Sequence, residues 1–138
     1  MSAKDLIHQI VKTALQKDGW TITHDPFRIV YEGESVYADL AAERPIAAER
    51  AGQKIVVEVK SFVGYSVIQD FKEALGQYIL YHTILVETKP EYRLYLAVSD
   101  VAYTYDLQRK MIQLALEQAR VPLIVVDIEA QEIVQWVH

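Results

Sequence analysis

The sequence predicts an α/β domain, a layered sandwich built on a mixed sheet, and three observations lead there. Apolar residues recur at helical spacing in three separate stretches, within residues 3–18, 67–85 and 100–119. From residue 54 onward these helices alternate with β-rich runs, an order that calls for parallel pairing through right-handed crossovers. No linker, repeat or low-complexity tract divides the 138 residues, so residues 1–138 are read as one domain.

Leu6, Ile7, Ile10, Val11, Ala14 and Leu15 form one apolar stripe and predict a first helix over residues 3–18, with Gly19 as its stop. A strand over 20–24, a turn at Asp25-Pro26 and strands over 27–31 and 36–40 follow, the last two joined by a hairpin at Glu32-Gly33-Glu34. Residues 41–51 read as an Ala/Glu-rich connection, and Gly52-Gln53 as the turn into a central strand over 54–60. After a loop over 61–65, Ser66 and Gln69 have the spacing of a capping box for a helix carrying Val67, Phe71, Ala74, Leu75, Tyr78, Ile79 and Leu85. Gly76 inside that helix is disfavoured relative to Ala by roughly 1 kcal/mol, which close packing on the sheet would explain, and so would chance. Beyond Pro90, residues 92–98 are β-rich; one helix then opens at Asp100 with Leu107, Met111, Ile112, Ala115, Leu116 and Ala119 inward. Val121-Pro122 ends it, and strands over 123–127 and 133–137 close the chain.

About half the residues are hydrophobic (51%) and mean hydropathy is +0.04, which fits a soluble globule with a real core. No apolar run nears the roughly 20 residues of a membrane span, and the start reads as helix, not signal peptide. The absence of cysteine excludes disulfides and thiolate zinc, in agreement with a cytoplasmic location. A net charge of −5 argues against a protein that coats nucleic acid, although metal-binding acids would themselves contribute to it. Phosphate-binding glycine loops, serine-hydrolase elbows, zinc fingers and helix-turn-helix patterns are absent from the sequence.

The most informative segment is Ile55-Val56-Val57-Glu58-Val59-Lys60. Side chains alternate across a strand, so Ile55, Val57 and Val59 face one way and Glu58 and Lys60 the other. Charge in a hydrophobic strand needs a partner. One answer is a divalent-cation site in which Asp39 and Glu58 hold the ion and Lys60 steadies a phosphate or an attacking water; the other is a salt bridge at the sheet rim. Gln77, on the helix after Lys60, could turn toward the same place or be a boundary amide. Asp5, His8 and Lys12 share one face of the first helix, as accessory groups or as a solvated face. Glu49 and Arg50 are either supports for the site or a surface pair, and Ser61, next to Lys60, is a further accessory candidate. His24, His82 and His138 show no metal-ligand spacing. Tyr65, Tyr78 and Tyr81 fall near the proposed site, where rings could stack on bases or simply pack.

The order of parts, a helix, a strand ending in Asp39, a strand ending in Glu58-Val59-Lys60 and a helix with Gln77, resembles the PD-(D/E)xK nuclease superfamily. That resemblance implies a restriction-endonuclease-like α/β/α sandwich with a central mixed sheet flanked by helices. It also implies magnesium or manganese held by Asp39, Glu58 and the backbone carbonyl of Val59, with Lys60 assisting the water and Gln77 as the added glutamine of resolvase-like branches. Asp5 would be an outer ligand and His8 a phosphate contact. Ala38 stands where the motif's proline often precedes the first acid. Across nearly the whole chain, residues 17–26, 47–50, 57–62, 74–81, 94–98 and 133–136 are similar to the XisH family, cyanobacterial controlling factors of fdxN element excision. This implies a role in DNA recombination and a small partner of the XisI type.

Three functions therefore stand as expectations: a metal-dependent nuclease acting on DNA, a non-catalytic accessory factor that binds DNA or the XisI-type partner, and a toxin-like nuclease restrained by that partner. A homo-oligomer is expected, since nucleases of this fold commonly pair to cut two strands.

Overall fold

The computed structural model describes residues 2–46 and 49–138, with residues 46 and 49–51 given as backbone only. The elements run α1 (Ala3–Lys17), β1 (Thr21–His24), β2 (Phe27–Tyr31), β3 (Glu34–Ala38), β4 (Leu40–Ile46), β5 (Glu49–Val59), α2 (Val67–Thr88) and β6 (Tyr92–Ser99). They continue with α3 (Asp100–Tyr105), α4 (Lys110–Ala119), β7 (Leu123–Asp127) and β8 (Glu132–Val137). Six strands form one mixed sheet in the order β1-β4-β5-β6-β7-β8, while β2 and β3 form a separate two-stranded ribbon. The pairs β5–β6 and β6–β7 are parallel, as the alternation predicts, and the outer pairs are antiparallel.

Each sheet face carries its own core, because buried strands alternate between them. On one face Ile55, Val57, Val59, Tyr95, Ala97, Ile124 and Val126 meet Ile7, Ile10, Val11, Ala14 and Leu15 of α1. On the other, Val56, Leu94, Leu96, Val98, Leu123 and Val125 meet Phe71, Ala74, Tyr78, Tyr81 and Leu85 of α2, Ile112 and Leu116 of α4, and the β2–β3 ribbon through Phe27 and Ile29. The result is the expected α/β/α sandwich. Ile55 is wholly buried in the first core, so Ile55→Ala is expected to cost about 2–5 kcal/mol, read as a lowered urea midpoint.

The helix starts follow local chemistry. Ser2 caps α1 by accepting from the Asp5 N–H at 3.1 Å, and Ser66 caps α2 by accepting from the Gln69 N–H at 3.2 Å. Gly19, at φ +90°, lets the chain leave α1 and turn toward the sheet.

Five local expectations are corrected. Of the expected connection over 41–51, residues 47 and 48 lie outside the described residues and the rest is strand: Leu40–Ile46 has Ala41 and Ala42 fully buried against both cores, and β5 begins at Glu49. Alanine has weak β-propensity, and tertiary packing overrode it. Gly52 is no turn into the central strand but lies inside β5 at φ +70°, where an added Cβ would come within 2.8 Å of the Arg44 carbonyl oxygen. Asp39 does not end a strand over 36–40; it sits in the bend between β3 and β4. The single helix from Asp100 is two, and the break around the buried Leu107 resets the helical phase, so Met111 points outward, 70% exposed. Gly76 likewise has nothing within 4 Å of an added Cβ, so packing on the sheet does not account for it.

Candidate metal and phosphodiester site

The antiparallel register pairs Leu40 with Val57. One step further along, Asp39 arrives beside Glu58 although 19 residues separate them. The two carboxylates brace each other through the backbone. The Asp39 N–H donates to Glu58 Oε1 at 3.2 Å, and the Val59 N–H donates to Asp39 Oδ2 at 2.7 Å. Lys60 Nζ lies 3.7 Å from Glu58 Oε2. The three groups named from the strand pattern thus converge where β5 ends. Val59 enters through its N–H, and its carbonyl belongs to the same short segment.

The electrostatics of Glu58 are unusual. Burial pushes its carboxyl up to about 8, the Asp39 charge adds to the rise, and Lys60 opposes it. Two acids this close in a part-dry site repel unless a proton or a cation sits with them. Tyr81, on the facing side of α2, is raised by burial and then by the charges of Glu58 and Asp39, with Gln77 against its hydroxyl opposing the rise. Gln77 therefore meets the site through Tyr81, and its buried Oε1 has no hydrogen-bond partner.

The helix α1 contributes the opposite wall. His8 Nδ1 is 3.7 Å from Asp39 Oδ1, while its Nε2 is 2.9 Å from Asp25 Oδ1. Lys12 Nζ contacts Asp25 Oδ2 at 2.8 Å. Burial alone would raise the Asp25 carboxyl, but Lys12 and His8 together hold it below its usual range. Lys12, Asp25, His8, Asp39, Glu58 and Lys60 thus make one continuous run of alternating and shared charge. Asp5 lines a cavity of about 80 Å³ with Lys4, His8, Asp39 and Val59. Ser61 lines a neighbouring one of about 270 Å³ with Lys4, Val59, Lys60, Gly64 and Asp70, among others.

Glu49 lies outside the residues whose side chains are described. Tyr65 projects into solvent and Tyr78 stacks on His82 at 5.5 Å, leaving Tyr81 as the tyrosine felt by the acids. Asp25 is the contributor that a reading of the residues alone missed: it looked like a turn residue, and nothing local links it to His8.

A pair of carboxylates suits magnesium or manganese, which keep several waters and substrate oxygens. Among the described residues no three His, Cys, Asp or Glu side chains are grouped so as to hold a metal ion. The Asp39 charge that adds to the rise at Glu58 is one that a cation between the two acids would offset. No described helix is long and apolar enough to cross a membrane.

A family model described as "XisH protein" matches residues 1–134. The chain superposes on the crystal structure of an XisH family protein from Nostoc punctiforme PCC 73102 with a TM-score of 0.89 and 41% identity, covering 97% of this chain and 100% of that one. It superposes on that of an fdxN element excision controlling factor protein from Anabaena variabilis with a TM-score of 0.87 and 41% identity, covering 97% and 99%. Comparison with curated proteins gives no match.

Proposed function

Since the chain belongs to the XisH family, we propose that it acts on DNA in the excision of an fdxN-type element, hydrolysing phosphodiester bonds with magnesium or manganese held at Asp39 and Glu58. The observation that carries this reading is the pairing of Asp39 and Glu58, with Lys60 3.7 Å from the latter. Bound there, the dication supplies Lewis-acid polarisation of the phosphate and a more acidic water.

The chain's own groups would do the rest. Asp39 is oriented by the Val59 N–H, so its second oxygen stays directed toward the cavity that Asp5 and His8 share. Lys60 is placed to offset negative charge as it gathers on the phosphoryl oxygens. Gln77 acts through Tyr81, against whose hydroxyl it lies, with its own buried Oε1 unsatisfied. Lys4 borders both cavities beside the acids, a cationic edge on a chain whose net charge is −5.

The direct test incubates the full chain with supercoiled, linear, branched and single-stranded DNA, with magnesium or manganese and with chelator. Nicking or cutting that needs the metal is the expected result. Failure on every substrate with either metal would sink the nuclease reading.

The negative net charge favours a second reading, an accessory factor that directs a separate recombinase by binding DNA or an XisI-type protein. On that reading, binding is indifferent to Lys60→Ala.

A further inference from the structure

The outer face of α2 is an apolar stripe with no neighbour in its own chain. Phe71, Ala74, Tyr78, Tyr81 and Leu85 are buried against the sheet. Directly opposite lie Ile79 at 50% exposure, Leu80 at 49% and Val86 at 53%. Three half-exposed aliphatic side chains close together on the solvent side of a helix mark a surface suited to a cover. Gly76 falls on the same stripe, and space is open where its Cβ would be. A helix-interior glycine with nothing pressing on it has no reason within this chain; a second backbone drawn close would be one.

About a point between Ile79 and Leu80 the exposed residues of this face oppose one another in complementary pairs, with Val86 falling opposite Glu73. Going outward from that point, Ile79 mirrors Leu80, Gly76 mirrors Thr83, and Lys72 mirrors Glu87. Thr83 donates its hydroxyl to the Ile79 carbonyl at 2.7 Å, so its own polar need is met inside the helix. Lys72 and Glu87 are both exposed, and neither is in an ion pair among the described residues.

We propose that this face is an isologous interface between two copies of the chain, in which the two α2 helices cross antiparallel about a two-fold axis between Ile79 and Leu80. Such an axis sets Ile79 of each copy on Leu80 of the other and Thr83 into the gap at Gly76. It also sets Lys72 against Glu87 twice. A self-complementary patch of this kind is what two-fold symmetry requires, and the opposed charges fix the antiparallel sense and the register. One helix face per copy is at the small end for a stable dimer, so dimer and monomer exchange on dilution. The inference does not depend on nuclease chemistry at the carboxylates.

Sedimentation of the full chain between micromolar and millimolar concentration tests it. The wild type is expected to pass from monomer to dimer, and Leu80→Asp to stay monomeric throughout. Lys72→Glu and Glu87→Lys should each weaken the dimer by about tenfold at low salt, and the double variant should restore it. Gly76→Leu, whose Cβ would meet nothing within 4 Å in the chain, should also block pairing while leaving the far-ultraviolet circular dichroism intact. The proposal is overturned by a wild type that remains monomeric, even one that binds an unrelated protein through α2. A dimer indifferent to Leu80→Asp, or charge reversals that the double variant does not rescue, would overturn it as well.

Discussion

Glu58→Gln is expected to make the protein more stable at pH 8 while abolishing metal-dependent DNA cleavage. In the unfolded chain this acid titrates near its ordinary value of 4.5, and in the fold burial and Asp39 move it to about 8. Between those two values the folded chain holds more protons than the unfolded one, so stability falls as pH rises through that window and the loss is complete above it. The glutamine does not titrate. Its side-chain oxygen can still accept from the Asp39 N–H, and its amide can donate to the Asp39 carboxylate. Calorimetry from pH 5 to pH 9 should therefore show the wild type losing on the order of a few kcal/mol relative to the variant. A gap that does not grow with pH would mean that Glu58 ionises normally. Cleavage, by contrast, should drop by about a thousandfold, the scale on which loss of a preorganised electrostatic contact acts. A site kept for chemistry is often a weak point of the fold.

Lys60→Ala should separate binding from turnover. The amine is 3.7 Å from Glu58 Oε2 and favours ionisation of that acid. Removing it takes positive charge away from the place where a dication would sit. Manganese affinity at pH 9, followed by calorimetric titration or water relaxation, should be unchanged or tighter, while cleavage falls by about a hundredfold to a thousandfold. In Glu58→Gln both should be lost. If Lys60→Ala cuts DNA as fast as wild type, the lysine is only a counter-ion to Glu58, and the rim salt bridge is the better description of the segment.

The parts of the fold legible in the residues are those set by neighbours three or four positions away. The stripe of Ile7, Ile10, Val11 and Ala14, the Ser66 cap and the alternation around Glu58 each depend on contacts within a turn or a pleat, and each can be read from spacing. The break that turns Met111 outward was not legible, because it answers to the burial of Leu107 in the core of that sheet face. Nor was β4, whose alanines acquire strand structure only by lying between two cores. In the candidate site, Asp39, Glu58 and Lys60 could be named because Glu58 lies at the end of one strand with Lys60 just beyond it, and Asp39 precedes another. The link from His8 to Asp25 could not, since it joins a helix to a turn across 17 residues with no pattern between them.

By itself the chain's order of residues determined the two helical faces that sandwich a sheet, the parallel centre of that sheet and the identity of the acids and the lysine. Only the folded arrangement decided that the Val59 N–H holds Asp39, that Glu58 keeps its proton near neutrality, and that one side of α2 is left without cover. Periodicity records which groups turn the same way, but a pKa and an open face depend on distance and on water removed by residues far along the chain.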